Sequence, residues 1–198
     1  MVKVSFIVEG DTEKIIVESP AFAAWAEAQG IEICSPVINA KGGGNLLPQN
    51  MAQIVMQARR ASPDHIVILT DLEDAPSGAA VRGRIGTEHT DLIFIAVKAI
   101  EAWFLADTLA LRSWLGLDDA FEVLPEETPG MPWDRLKSLA QEKGVRGPGS
   151  NKPGFAKKMC MHHGFTVAGS ASHPACPSAR QFHDGIAGLG QPIPGEGG

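Results

Sequence analysis

Four short apolar runs, each followed by a stretch of helical character, limit this chain more than any other feature. They are residues 2–8 (VKVSFIV), 31–38, 65–70 (HIVILT) and 92–97 (LIFIAV). Little polar alternation interrupts them, as expected for strands covered on both faces. Residues 12–29 read as a helix, with Asp11 or Thr12 as N-cap, Glu13 in the first turn, Pro20 as a kink or break, and Gly30 as the stop. Residues 46–61 read as a second helix with Pro48 in its first turn. A third follows the turn at Pro76 and Gly78 and runs to about Glu88, and residues 101–114 form an amphipathic, core-facing fourth. The order β-α-β-α-β-α-β predicts an α/β fold: a parallel four-stranded sheet flanked by helices.

The character changes near Gly116. Prolines and polar residues crowd 117–154, with helical patches at 133–143 and 176–188, the latter starting after Pro177. The expected organisation is an α/β core over 1–116, a mostly helical or irregular C-terminal extension over 117–188 packed on that core, and a flexible tail over 189–198. At 198 residues, with 44% apolar and 20% charged residues, the chain can bury a core without disulfides or structural metal. Three widely spaced cysteines point to a reducing cytoplasm. No apolar run reaches the roughly 18 residues of a membrane helix, and the N-terminus lacks a signal-peptide layout. A net charge of −6 argues against a bulk nucleic-acid coat.

In parallel sheets, sites form beyond the carboxyl ends of the strands. The first strand ends at Glu9. The third ends at Asp71, with Glu73 and Asp74 just after it. The fourth is followed by Lys98 and Glu101. Carboxylates gathered on one rim repel by about 2–4 kcal/mol per close pair at an effective dielectric near 20. A magnesium or manganese ion among them offsets that cost and suits phosphate chemistry. On spacing alone, a polar loop and a helix cap account for these acids equally well. Lys41 and Gly43 belong to a glycine-rich loop able to form a phosphate nest, although it lacks the P-loop pattern. Lys98 is placed either to neutralise a scissile phosphate or to pair with Glu101. Arg82 and Arg84 can meet a nucleic-acid backbone or simply be solvated. Cys160, His162, His163, His173, Cys176 and His183 fit no standard zinc spacing and read as surface histidines beside a buried cysteine.

The segments FIVEGDTEK and ILTDLED resemble the first two motifs of Toprim, the topoisomerase–primase module. AVKAIEAWFLAD and CPSARQFHDGI are similar to segments of a Toprim-related family, domain of unknown function 4276, and the resemblance spans nearly the whole chain. It implies a Toprim-like fold in which Glu9 is a metal ligand or general acid/base and Asp71 a magnesium ligand. Glu73 stands where the second aspartate is expected, so Asp74 is the alternative at that position. Glu101 would support a second metal. The chain contains no tyrosine, which excludes a tyrosyl–DNA intermediate, and it has no zinc-ribbon cysteine pairs. Among Toprim chemistries this leaves a magnesium- or manganese-dependent nuclease acting on DNA or RNA. Resemblance to OLD systems implies a separate ATPase partner of AAA or ABC type and a setting in phage defence or DNA repair. Two other readings stand beside it, a non-catalytic docking or regulatory subunit and a small-nucleotide phosphohydrolase, and each is compatible with an oligomer.

Overall fold

A computed structural model describes residues 1–86 and 92–191. The end of the third expected helix, at Glu88, and tail residues 192–198 lie outside the described residues. The sheet is entirely parallel. β1 (Val2–Val8) is central, flanked on one side by β4 (His65–Asp71) and then β5 (Leu92–Ala96). On its other side β1 pairs first with β2 (Ile31–Ile33) and then with β3 (Ile38–Asn39). The expected second strand is therefore two short ones, and the sheet has five strands rather than four. Pro36 explains the break: it has no N–H to give the ladder, and Ser35 and Pro36 form a bend between the two pieces.

Strand alternation sorts the side chains into two layers. Phe6, Val8, Val67 and Leu69 face a large core shared with α1 (Asp11–Val17), α2 (Pro20–Ala28) and the C-terminal helices. Ile7, Ile66 and Ile68 face a smaller one, covered by α3 (Pro48–Arg59) and α4 (Gly78–Ile85). Pro20 separates α1 from α2, with the Ser19 side chain capping α2 through the Phe22 N–H. The helix expected over 101–114 is also two: α5 (Glu101–Ala106) and α6 (Thr108–Leu115). Asp107 divides them. Its carboxylate accepts the N–H groups of Ala110 and, from a distant segment, Thr166. An aspartate so engaged caps a new helix rather than continuing the old one.

Beyond Gly116 come α7 (Pro132–Glu142), α8 (Lys152–His162), α9 (Val167–Ala171) and α10 (Pro177–Leu189). Packing runs straight across residue 116. Phe182 of α10 meets Phe6, Phe22, Phe94 and Trp103, with ring centroids 5.2–6.2 Å away. Phe155 of α8 packs on Phe104, Trp114 and Trp133. Beneath α10, Ser178 Oγ receives Trp103 Nε1–H at 2.9 Å and donates to the buried Glu126 carboxylate at 2.5 Å.

Candidate metal centre

Because β1, β4 and β5 are adjacent and parallel, their carboxyl ends meet. Glu9 follows β1, and its N–H continues the ladder to Leu69 O at 3.1 Å. Its carboxylate leans across to β4, where Oε2 accepts the Thr70 hydroxyl and the Asp71 N–H. Asp71 closes β4, and its Oδ1 accepts the Ile100 N–H at 2.8 Å, which ties it to the turn after β5. Glu101 opens α5 one residue later and is only 2% exposed.

A fourth acid joins them. Glu13, in the first turn of α1, is buried, and its Oε2 accepts the Gly10 N–H at 3.1 Å. Burial is the main reason its carboxyl titrates at about 7, and the charges of Glu9 and Glu101 add to the effect. Asp71 is likewise held well above the ordinary aspartate range. The protein encloses its carboxyl, and the charges of Glu13, Glu101 and Glu9 oppose ionisation. Four carboxylates thus act on one another. The cation against them is Lys152, from the start of α8, with Nζ 3.2 Å from Glu101 Oε1. Glu101 Oε2 is buried and has no hydrogen-bond partner among the described residues.

This set fits a hard divalent ion. All its donors are oxygens, as magnesium and manganese require, and one buried carboxylate oxygen is left without a partner. The loop over Glu9 is shaped for close approach: a Cβ on Gly43 would lie 3.1 Å from Glu9 Oε1. Among the described residues no three His, Cys, Asp or Glu side chains already converge as a finished ligand set.

The structure brings Glu9, Asp71 and Glu101 together, and Gly43 beside them. The other expected site residues stand elsewhere. Glu73 and Asp74 are exposed and line a separate cleft of about 350 Å³, with Arg84 on its wall. Glu73 sits at φ +49°, and its N–H donates to Lys98 O. Lys98 turns away from Glu101, its ammonium donating to the carbonyls of Thr128 and Gly130. The expected Lys98–Glu101 pair is therefore replaced by Lys152–Glu101. Arg82 is also engaged, its Nε donating to Ile93 O at 3.3 Å. Lys41 is exposed beside the Gly43 loop.

The expected group of surface histidines and cysteines is dispersed, and His173 is buried rather than exposed. Its Nε2 lies 2.9 Å from Glu122 O. Cys176 Sγ donates to Glu126, and His163 Nδ1 pairs with Ser113 Oγ. The two residues that the sequence reading missed differ in kind. Glu13 had a signal, four residues after Glu9 across a strand-to-helix turn, but its place in a first helical turn explained it sufficiently. Lys152 had none, because only the packing of α8 against α1 carries it to the rim.

The class these features define is a parallel α/β domain with an acidic, oxygen-lined centre at the carboxyl edge of its sheet. No family model matches the chain, and no curated protein matches it in sequence. Among solved structures it is similar to the C-terminal region of the OLD protein of Burkholderia pseudomallei. That likeness has 17% identity and a TM-score of 0.49, covering 96% of this chain and 98% of that one.

Proposed function

We propose that this chain is a magnesium- or manganese-dependent phosphodiester hydrolase of Toprim type, acting on DNA or RNA. The observation that carries the reading is the buried acidic rim, with Glu101 Oε2 left unpartnered. Glu9, Asp71, Glu101 and Glu13 would hold the ion. When bound, the ion supplies Lewis-acid polarisation of a phosphate oxygen and a water acidified toward neutral pH. The protein's own contribution is positional. Thr70 and the Asp71 N–H fix the direction of the Glu9 carboxylate, and the Ile100 N–H fixes that of Asp71. Glu13 titrates at about 7 without the ion, so its carboxyl would give up a proton on joining it, coupling metal binding to pH near neutrality. Lys152 offers a positive charge beside Glu101 that can meet a phosphate. The similarity of the motifs to OLD systems supports a separate ATPase of AAA or ABC type as partner, in phage defence or repair.

A specific observation favours a second reading, a non-catalytic docking or regulatory subunit. The chain carries a net −6, and the cations Lys98 and Arg82 are spent on backbone carbonyls. The discriminating experiment is magnesium and manganese calorimetry on wild type and Asp71→Asn, followed by cleavage assays on single- and double-stranded substrates. The expected result is one carboxylate-dependent binding event, lost at least tenfold in the variant, together with metal-dependent cleavage lost at least 100-fold. Metal binding without cleavage of any nucleic acid or nucleotide, with or without an ATPase partner, assigns the chain to the docking role.

A further inference from the structure

We infer that the cleft between α3 and the end of β3 is a nucleobase subsite, which rests on the hydrolase reading above for the polymer it serves. The cleft has a volume of about 420 Å³. One wall is a stripe of amides: Gln49, Gln53 and Gln57 recur every fourth residue on α3, so they share one helix face. Met51, Val55 and Ala58 are the residues of α3 that are buried. Asn39 and Lys41 line it too, and Ile38 and Ile54 give the cleft apolar surface.

The amides divide into two groups. Asn39 is committed to the fold, donating to Asp11 Oδ1 and accepting the Lys41 N–H, both at 2.6 Å. Asn45 and Asn50 likewise donate to loop carbonyls. The side chains of the three glutamines make no hydrogen bond among the described residues. Each offers a carbonyl acceptor and an NH2 donor side by side, the pairing that reads a base edge, adenine best of all. Among the described residues no acid lines the cleft, and Lys41 is the charged one on its wall. The chemistry therefore suits a flat, neutral ring with donors and acceptors on its rim, resting on aliphatic carbon, and does not suit a phosphate.

Position links this cleft to the carboxylates. The Lys41–Gly44 loop borders both. Lys41 lines the cleft, Gly42 donates its N–H to Glu9 O at 2.8 Å, and Gly43 abuts the Glu9 carboxylate. A base seated in the cleft would bring its own sugar–phosphate backbone to the acidic rim.

The test is anisotropy of a labelled ten-nucleotide oligoadenylate and of an abasic strand of equal length, with calcium present. The proteins are wild type and the triple variant Gln49→Ala, Gln53→Ala, Gln57→Ala. Alanine is the best helix former, so the variant keeps α3. Wild type is expected to bind the base-bearing strand about tenfold tighter than the abasic one, and the variant to lose that preference. Equal binding of the two strands, binding of neither, or a preference kept by the variant overturns the inference. Cleavage with KM unchanged in the variant sinks the subsite and leaves the hydrolase. Base-dependent binding that the variant loses, with no cleavage under any metal, sinks the hydrolase and leaves the subsite.

Discussion

Glu13 concentrates the electrostatic cost of the rim in one side chain. Its carboxyl titrates at about 7 in the folded chain against 4.5 when free, and Asp71 shifts in the same direction. A raised carboxyl pKa means that the native state holds its proton longer than the unfolded state. Between pH 4.5 and 7 the unfolded chain binds fewer protons, so stability falls as pH rises through that window. The metal-free protein should accordingly melt higher at pH 5 than at pH 8, through Glu13 by on the order of 2 kcal/mol, or about 5 °C at this size. Glu13→Gln should flatten the profile and raise the metal-free melting temperature at pH 8, while weakening magnesium binding. Magnesium should restore the wild type at pH 8. Melting curves at the two pH values, with and without the ion, check all three. An unchanged pH profile in the variant would show that Glu13 does not carry this charge burden. Of this rim, Glu9, Asp71 and Glu101 were legible in the sequence because strand ends could be located by apolar runs. Glu13 was hidden by its capping role, and Lys152 by its distance along the chain.

At the scale of elements, α10 shows how one helix meets the sheet through glycine. A Cβ on Gly185 would fall 2.5 Å from Phe94 Cζ, whereas one on Gly188, a turn later, would meet nothing within 4 Å. Alanine gains up to about 1 kcal/mol over glycine inside a helix. Overpacking against the ring costs about 1–3 kcal/mol. Urea denaturation should therefore find Gly185→Ala destabilised by about 1–2 kcal/mol and Gly188→Ala stabilised by roughly 0.5–1 kcal/mol. Element types were readable where hydrophobic periodicity was unbroken, as in β1, β4, β5 and α3. Reading failed where one residue overrode the period. Pro36 split a strand, and Asp107 split a helix through its bond to Thr166. α8 carries three lysines and a glycine and α9 is only five residues long, and their helicity comes from Asn151 and Thr166 caps and from burial of Phe155 and Val167.

For the whole molecule, the shared core predicts a single cooperative unit. A chain cut after Gly116 loses Phe155 and Phe182 from the aromatic cluster and should not fold, giving neither sharp amide dispersion nor a thermal transition. The full chain should melt in one transition with equal calorimetric and van't Hoff enthalpies. Two resolved transitions would show that the first 116 residues are independently stable. The sequence changes composition at that point. It does not reveal that the core continues across it, because contacts such as Phe6–Phe182 join residues that no local pattern links.

The central place of Phe182 also bears on how the protein is made. Domains emerge from the ribosome amino end first, at about 5–20 residues per second. Here β1 is synthesised well before α10, yet its inner face is closed by a ring supplied from that helix. Until that helix arrives, Phe6, Phe22 and Trp103 have an open cavity beside them, so the nascent chain waits several seconds with a sticky, unfinished surface. Lys152 lies well after Glu101 in the chain, so the acids of the rim stand without it until α8 is made. Completion of the core and assembly of the charged centre therefore both wait until α8 and α10 have been made, so emergence of the sheet alone leaves the molecule unfinished.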